Sequence, residues 1–324
     1  MTTVLVTGVG AIMGYGLLRS LKASKPELRL VGTDIYPDAV GQAWCHVFEQ
    51  APMTASQNYI EWLRGVVAEH HVDLVIPGIE QDVHRLSDDR EQLSTFDCSF
   101  ALNNALLINL SRDKWAMHQA LLDLGDASRI PSYLSGDFSS LSTLLGLPFI
   151  LKPRRSYASK GLVRVRDTSD FAKQSSHLGE HLMAQPLIGS DEEEFTVGVF
   201  GDGQGQVCAS ISMQRRLAQD GSTAKAWIKN HASLDDAVVR LCSYFKPIGP
   251  TNLQFRFDGL DWKLLEINPR ISSTTSIRTA FGYNEALMTV EFYLKGKLPS
   301  QPEIKEGFAI RFIEDYVVYD RDHF

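Results

Sequence analysis

The stretch from Thr251 to Arg270 holds the side chains best suited to chemistry in this sequence. It reads as two alternating apolar and polar segments around Asp258-Gly259, a pattern that predicts a β-hairpin. If the loop is the three residues Gly259–Asp261, polar side chains face each other across the hairpin. The two facing pairs are then Gln254 with Glu266, and Asn252 with Asn268.

Strand alternation sorts this hairpin into an apolar and a polar face. The apolar face is predicted to hold Leu253, Phe255, Phe257, Leu265 and Ile267, and the polar face Asn252, Gln254, Arg256, Glu266 and Asn268. Carboxylate and amide oxygens suit a hard cation such as Mg²⁺, which binds a few protein oxygens and substrate phosphates. The alternative is an exposed polar surface. That alternative does not explain why the acid, the amide and Pro269-Arg270 cluster at one strand end.

The series Glu266-x-Asn268-Pro269-Arg270, with Gln254 twelve residues upstream, resembles the metal-binding strand of ATP-grasp enzymes. It is most similar to the subgroup that contains the large subunit of carbamoyl-phosphate synthetase. The resemblance implies that Gln254, Glu266 and Asn268 bind Mg²⁺ or Mn²⁺, with two ions expected. It also implies that Arg270 steadies the transferred phosphoryl group through its planar guanidinium.

Three further segments resemble the phosphate-binding parts of that family, in the same order. The helix start at Ser111–Lys114 makes Lys114 a candidate for the nucleotide phosphates, and the strand Phe149–Pro153 makes Lys152 the lysine that holds the α- and β-phosphates. Arg154–Gly161 then corresponds to the phosphate loop. Within that loop the resemblance implies nucleotide binding by Ser159 and Gly161 and closure over the phosphates by Lys160.

The segment Met183–Gly189 resembles the hinge that lies along adenine, with backbone groups near Gln185 and Leu187 reading its edge. Glu194 is similar to the acid that binds ribose, and the adjacent Glu192 and Glu193 are alternatives. Arg215-Arg216 follows a predicted strand. The pair is a candidate clamp for a substrate carboxylate, with Arg216 as the acting residue, although a solvated arginine pair is an equal reading.

A glycine-rich turn near the start of the chain favours a different ligand. Gly8, Gly10 and Gly14 follow an apolar strand and begin a helix, and Asp34 ends the next strand, as in dinucleotide-binding folds. Glycines also occur wherever a strand-to-helix turn packs tightly. Since the ATP-grasp resemblance extends over about 110–275, the turn is interpreted as a tight turn with no cofactor required.

The elements that must position these residues alternate as β-α-β at first, which predicts a Rossmann-like parallel α/β domain over 1–108. An ATP-grasp fold of two α+β subdomains is expected at 109–190 and 191–324. A helix is predicted over Tyr59–His70 and a strand over Val72–Pro77. Ser111 is expected to cap a helix with Asp113 in its first turn. Glu80-Gln81-Asp82 is either a contact for the acceptor substrate or a helix cap.

Composition excludes several classes of protein. The 324 residues are 44% hydrophobic and 22% charged with a net charge of −7, which disfavours nucleic acid and anionic membranes as partners. No apolar run is long enough to span a membrane, and the first residues do not read as a signal peptide. Four scattered cysteines suit a reduced, cytoplasmic protein.

The resemblance implies an ATP- and Mg²⁺-dependent carboxylate–amine ligase that acts on small metabolites through an acyl phosphate. One unit, with no internal repeat and no glutaminase domain, excludes a complete carbamoyl-phosphate synthetase. The alternatives are an ATP-binding regulatory or assembly subunit without turnover, and a Rossmann-type NAD(P) oxidoreductase. The expected partners are a small-molecule carboxylate, an amine and, since related enzymes are often dimers, a second copy of the chain.

Overall fold

The computed structural model describes residues 1–155, 161–190, 192–219 and 221–318. The chain begins with a parallel five-stranded sheet, sheet A, in the order β3-β2-β1-β4-β5. Its strands are β1 (Thr3–Thr7), β2 (Arg29–Asp34), β3 (Val47–Gln50), β4 (Leu74–Ile76) and β5 (Ser99–Phe100). Its helices are α1 (Ile12–Ser24), α2 (Tyr59–His70), α3 (Glu80–Asp88), α4 (Arg90–Leu93) and α5 (Ala105–Ser111), with a 3-10 turn at Val40–Ala43.

The parallel α/β character of this region is confirmed. The strand β1 is buried at every position because helices cover both faces of sheet A. The predicted helix Tyr59–His70 is observed with the same bounds, and the strand expected at Val72–Pro77 is the shorter β4. Helix α2 ends at His71 in the left-handed conformation, with φ of 50°.

The glycine-rich turn between β1 and α1 is held by packing and by its own hydrogen bonds. Gly8 has a φ of +59°, which favours glycine. The amide of Gly10 donates to Oδ2 of Asp34 at 2.7 Å, and the amide of Tyr36 donates to Oδ1 of Asp34 at 3.1 Å. The acid at the end of β2 therefore serves the turn, which supports the tight-turn interpretation.

Gly14 is the tightest glycine of this turn, and Gly14→Ala is expected to destabilise the protein by about 2 kcal/mol or more. A Cβ at Gly14 would lie 2.2 Å from the backbone oxygen of Gly8, which cannot move without opening the turn. Gly65→Ala on α2 is the matched control, since a Cβ there meets nothing within 4 Å. It should stabilise by about 0.5–1 kcal/mol. Urea unfolding of both variants checks this, and equal stability for Gly14→Ala would contradict the packing argument.

The central part of the chain forms a separate three-stranded antiparallel sheet, sheet B, in the order β7-β6-β8. The elements of this part of the chain are α6 (Lys114–Asp123), α7 (Phe138–Leu145), β6 (Phe149–Pro153), β7 (Val163–Val165), α8 (Thr168–Ala172), a 3-10 turn at Ser175–His177 and β8 (Leu182–Pro186). Sheet B has its own apolar core, formed by Leu141, Phe149, Leu151, Val165, Phe171, Leu182 and Ala184.

The last part of the chain forms a six-stranded antiparallel sheet, sheet C, in the order β13-β12-β9-β10-β11-β14. Its elements are β9 (Glu194–Asp202), β10 (Val207–Leu217), β11 (Thr223–Ile228), α9 (Ala232–Phe245), β12 (Ile248–Phe257), β13 (Trp262–Asn268), α10 (Thr275–Ala280), α11 (Glu285–Lys295) and β14 (Phe308–Ile310). One face of sheet C packs against α6 and α9, and the other against α10 and α11.

The predicted hairpin is β12 and β13, and its register departs from the expected one near the turn. Gln254 lies opposite Glu266 as predicted, but a β-bulge shifts the pairing so that Phe255 lies opposite Leu264. The loop is therefore the four residues 258–261. Leu264 enters the apolar core, and the expectation that Leu265 would do so was wrong.

Two features around residue 110 also differ from the sequence prediction. The segment before Ser111 is itself helical, as α5, whose N-cap Asn104 accepts from the amide of Leu107 at 2.7 Å. The N-cap of α6 is Asp113 and not Ser111, because its carboxylate accepts from the amide of Trp115 at 2.9 Å. Helix α5 also runs across the boundary that was predicted at 108.

The first and last parts of the chain share an apolar core. Ile271, Ala286 and Val290 pack in the same cluster as Val4 and Leu17, so α1 is covered by α10 and α11. Within the described residues, no helix combines the length and apolar character needed to cross a membrane.

Candidate functional site

The predicted metal ligands lie on one face of the β12–β13 hairpin. Asn268 Nδ2 donates to Oε1 of Glu266 at 3.0 Å, so these side chains are adjacent on β13. Gln254 faces Glu266 from β12. The structure therefore brings the three residues together, as the alternation of the strands predicts.

The predicted phosphate lysines surround this carboxylate. Lys152, at the end of β6 in sheet B, donates from Nζ to the backbone oxygen of Leu265 at 3.2 Å. That bond crosses from sheet B to β13, the edge strand of sheet C. Lys114, at the first position of α6, acts electrostatically on both Lys152 and Glu266.

The protonation of this group follows from burial and from neighbouring charges. Burial lowers the pKa of Lys152 to about 8, with Lys114 and Arg256 acting in the same direction and Glu266 and Glu194 opposing them. Burial alone would raise the pKa of Glu266. The charges of Lys114 and Lys152, with the hydrogen bond from Asn268, outweigh that effect and lower the pKa. Glu266 is therefore an ionised carboxylate at neutral pH.

Glu194, the predicted ribose acid, is buried between two arginines. Arg215 Nη2 donates to Oε1 of Glu194 at 2.6 Å, and Arg256 Nη2 donates to Oε2 at 2.8 Å. Only 3% of the residue is exposed. Both oxygens thus carry charged partners here, and ribose binding by Glu194 would have to replace one of them. That role stays a prediction, and Glu192 and Glu193 remain exposed alternatives.

Arg216 lies on the opposite face of sheet C from Gln254 and Glu194. It alternates with Arg215 on β10 and faces the other side of sheet C, where its half-exposed guanidinium pairs with Glu192 at 2.9 Å. Arg215 faces β12 and donates to Oε1 of Gln254 at 2.5 Å. The register with Glu194 could have identified Arg215, since both positions fall on the polar face. Whether Arg216 binds a substrate carboxylate stays a prediction.

Arg270 links the end of β13 to the start of α3. Its Nη2 donates to Oε2 of Glu80 at 2.8 Å and to Oδ1 of Asn268 at 3.1 Å. Glu80 is the first residue of α3 and follows the carboxyl end of β4. The side of this residue group that faces sheet A is thus lined by an arginine–glutamate pair. Whether Glu80 contacts an acceptor substrate stays a prediction.

A small pocket of about 30 Å³ opens where β13, β8 and α6 meet. Gln185 reaches it from β8 and donates to Oγ of Ser132 at 2.8 Å. Leu187 is half-buried just beyond β8 and does not line the pocket. The lining residues are Ser111, Lys114, Met117, His118, Leu121, Ile130, Met183, Gln185, Leu264, Leu265, Glu266 and Ile267.

Sequence reasoning did not identify the contributions of α6 and β13 to this pocket. His118 lies one helical turn after Lys114, and its Nδ1 is 2.9 Å from the backbone oxygen of Ile130. The bulge exposes Leu265 to the pocket. The pocket thus combines apolar side chains with Lys114 and Glu266.

The predicted phosphate loop is described only at its ends. Ser159 and Lys160 lie outside the described residues. Gly161 has a φ of +79°, and a Cβ there would approach Pro153 to 3.0 Å, so glycine suits this position.

Asp113 fixes the start of α6, and Asp113→Ala is expected to destabilise the protein by about 2 kcal/mol and to raise the KM for ATP. The variant removes the helix cap and leaves Arg154 without its 2.7 Å partner. Because Lys114 directly follows this cap, its ammonium group loses its fixed position. Thermal unfolding and ATP titration of initial rates measure the two effects.

Asp137→Ala is the matched control for this variant. Asp137 caps α7 by accepting from the amide of Ser140 at 2.8 Å, and it lies at the surface. Its loss should cost about 1 kcal/mol without changing the KM for ATP. An unchanged KM in Asp113→Ala would show that the cap does not position Lys114.

The donor set fits a hard divalent cation at one position. Glu266 offers an ionised carboxylate and Asn268 an amide oxygen, which are ligand types that Mg²⁺ accepts. Asn268 Oδ1 also accepts from Arg270, so ligation there requires that guanidinium to share the oxygen. Gln254 Oε1 accepts from Arg215, so ligation there would place the cation close to a guanidinium that shares the same oxygen.

Comparisons with known proteins bear on the fold that carries these residues. A family model described as ATP-grasp in the biosynthetic pathway with Ter operon matches residues 179–316. No curated protein matches the sequence. The structure is similar to N5-carboxyaminoimidazole synthetase from Staphylococcus aureus, complexed with ADP, at 18% identity and a TM-score of 0.74. That match covers 94% of this chain and 80% of the other.

Two other solved structures share the fold. Biotin carboxylase from Campylobacter jejuni, in complex with β,γ-ATP, is 16% identical with a TM-score of 0.72, covering 95% of this chain and 74% of the other. L-amino acid ligase from Bacillus licheniformis is 15% identical with a TM-score of 0.66, covering 91% and 74% respectively. The family-model match over residues 179–316 and the similarity to these solved structures together show that the chain has the fold of ATP-grasp enzymes.

Proposed function

We propose that this protein is an ATP- and Mg²⁺-dependent carboxylate–amine ligase for a small metabolite, acting through an acyl phosphate. The observation that carries the proposal is the contact of Lys152 with β13 beside Glu266. It joins a phosphate-binding cation from one sheet to a metal-binding carboxylate on the other. Phosphoryl transfer depends mainly on such positioning and charge neutralisation.

The proposed reaction has two balanced steps. A carboxylate oxygen of the first substrate attacks the γ-phosphorus of ATP, the bond from that phosphorus to the bridging oxygen breaks, and ADP leaves. The amine nitrogen then attacks the acyl carbon, phosphate leaves with the acyl oxygen, and the nitrogen loses one proton. The divalent ion, when bound, neutralises phosphate charge. Lys114 and Lys152 bind the phosphates, and Arg270 lies where it can bind the transferred group.

The names of the structural neighbours support this class of chemistry. One is a synthetase described with ADP and another is an L-amino acid ligase. The matching family model is described as belonging to a biosynthetic pathway. We infer that the substrates are a small carboxylic acid and an amine of that kind of pathway.

A homodimer is proposed on similar grounds. The biotin carboxylase domain of Hydrogenobacter thermophilus 2-oxoglutarate carboxylase is described as a dimer, and it shares the fold with a TM-score of 0.72. Size-exclusion chromatography with light scattering tests this proposal.

The first experiment is thermal unfolding with a non-hydrolysable ATP analogue, with and without Mg²⁺, beside NAD and NADP. A ligand at 100 times its Kd adds about 2.7 kcal/mol to stability, enough for a shift of a few degrees. A Mg²⁺-dependent shift with the ATP analogue alone is expected. ADP release is then screened with panels of acids and amines. Nucleotide binding without ADP release from any pair would favour a regulatory subunit.

A Rossmann-type oxidoreductase is the candidate that this experiment would revive, if NAD or NADP alone stabilised the protein. The bonds from Gly10 and Tyr36 to Asp34 argue against it, because they use the carboxylate that would bind a ribose. Asp34→Ala should therefore leave ATP use largely unchanged, apart from a loss of stability in the turn.

A further inference from the structure

Arg215 occupies the place beside Gln254 where a second cation would be expected. Its Nη2 donates to Oε1 of Gln254 at 2.5 Å and to Oε1 of Glu194 at 2.6 Å. We propose that the nucleotide site uses one divalent ion, bound by Glu266 and Asn268, and that Arg215 supplies the charge of the second. This inference rests on the proposed function, and it replaces the expectation of two ions.

Gln254 is a poor ligand for a second ion. A glutamine amide has one oxygen able to bind a cation, and its nitrogen is only a donor. In Gln254 that oxygen already accepts a charge-assisted hydrogen bond. A metal ion there would meet the guanidinium of Arg215 at close range and be repelled by it. A neutral amide compensates neither charge. Arg270 beside Asn268 differs, because Glu80 offsets its charge, whereas the one carboxylate of Glu194 is shared by Arg215 and Arg256.

Arg215 is fixed in place by its surroundings, so it does not swing away at low cost. Only 6% of the residue is exposed. Its Nε donates to Oε1 of Glu194 at 3.1 Å, in addition to the bond from Nη2, and its Nη1 lies 3.4 Å from Oγ1 of Thr223. The planar guanidinium thus bridges the acid on β9 to the amide on β12. Moving it would leave the buried carboxylate of Glu194 with Arg256 alone.

Charge balance gives an independent argument. Four cationic side chains and two carboxylates interact in the cluster: Lys114, Lys152, Arg215, Arg256, Glu194 and Glu266. The protein therefore contributes about two positive charges, and the Arg270–Glu80 pair adds none. ATP with one Mg²⁺ carries about two negative charges, which matches this excess. In the nucleotide complex, before the substrate carboxylate binds, a second divalent ion would leave about two uncompensated positive charges in a poorly solvated site.

The consequence for catalysis is that Arg215 places a fixed positive charge beside Gln254, on the side where the proposed nucleotide phosphates bind. A guanidinium cannot lose its proton in this pH range. The charge it supplies therefore does not depend on the concentration of free metal. The requirement for Mg²⁺ should then follow a single binding event.

The test counts bound Mn²⁺ by electron paramagnetic resonance in the presence of a saturating non-hydrolysable ATP analogue. One Mn²⁺ per chain is expected, with no spin coupling, since ions in two-metal sites lie only about 3.5–4 Å apart and couple. Two ions per chain, or a coupled spectrum, would overturn the inference. Failure of the analogue to bind at all would instead contradict the proposed function.

Variants then test whether Arg215 is what excludes the second ion. The double variant Arg215→Gln with Gln254→Glu removes the cation and adds a carboxylate, and two Mn²⁺ per chain are expected. Gln254→Glu alone keeps Arg215 as the partner of the new acid, so one ion is expected. Arg216→Gln is the matched control on the opposite face of β10 and should also keep one ion. One ion in the double variant would show that Arg215 does not exclude the second.

Discussion

Glu266→Gln is expected to reduce Mg²⁺-dependent ADP release by about 10³-fold, which corresponds to about 4 kcal/mol of transition-state stabilisation. Glu266 is the carboxylate in the proposed ion site, and the amide of glutamine binds Mg²⁺ without charge attraction. The change also removes the negative charge that opposes the low pKa of Lys152. Initial rates over a range of Mg²⁺ concentrations measure the effect.

Asn268→Asp should strengthen Mg²⁺ binding, whereas Glu266→Gln should weaken it. Asn268→Asp keeps an oxygen next to Glu266 and adds a negative charge, so the concentration of Mg²⁺ needed for half-maximal rate should fall. The free energy of unfolding of Glu266→Gln should stay within about 2 kcal/mol of the parent. Full activity in a folded Glu266→Gln protein would remove Glu266 from the metal site.

The second large effect is a loss of kcat/KM for ATP as the pH rises through about 8, the pKa to which burial lowers Lys152. Below that pH the ammonium is protonated and binds phosphate. Above it the free enzyme carries a neutral amine, so kcat/KM should fall about tenfold per pH unit. The pKa of Glu266 is lowered, so this acid stays ionised across the same range and does not contribute to the inflection.

Lys152→Arg separates this titration from general effects of alkaline pH. A guanidinium stays protonated through pH 10, so the inflection near pH 8 should disappear even if the variant is slower. Tight-binding nucleotide restores the ammonium by adding negative charge, and kcat should therefore depend on pH less than kcat/KM does. A kcat/KM that is flat from pH 7 to pH 10 in the parent protein would contradict the assignment.

The sequence was informative wherever a local pattern determines geometry. Strand alternation and hairpin pairing predicted that Gln254 faces Glu266, and helical periodicity predicted Tyr59–His70 with its observed bounds. The parallel α/β character of the first part of the chain and the α+β character of the rest were also predicted correctly.

What the sequence could not supply were contacts between elements far apart in the chain. The bulge that moves Leu264 into the core depends on packing against α6 and α9, which no local pattern records. The choice between Arg215 and Arg216 required the register of β10 against β9. Similarly, the bond from Arg270 to Glu80 joins residues 190 positions apart.

The separate core of sheet B has a consequence for the release of product. Lys152 belongs to sheet B, whereas Lys114 extends from α6, which packs into the core of sheet C through Met117 and Leu121. The two lysines thus belong to parts of the structure with separate apolar cores. Contacts across the gap include polar bonds such as Lys152 to Leu265 and Arg154 to Asp113. Outward rotation of sheet B would exchange these bonds for water at little net cost, withdrawing one cation from the spent nucleotide while the other stays.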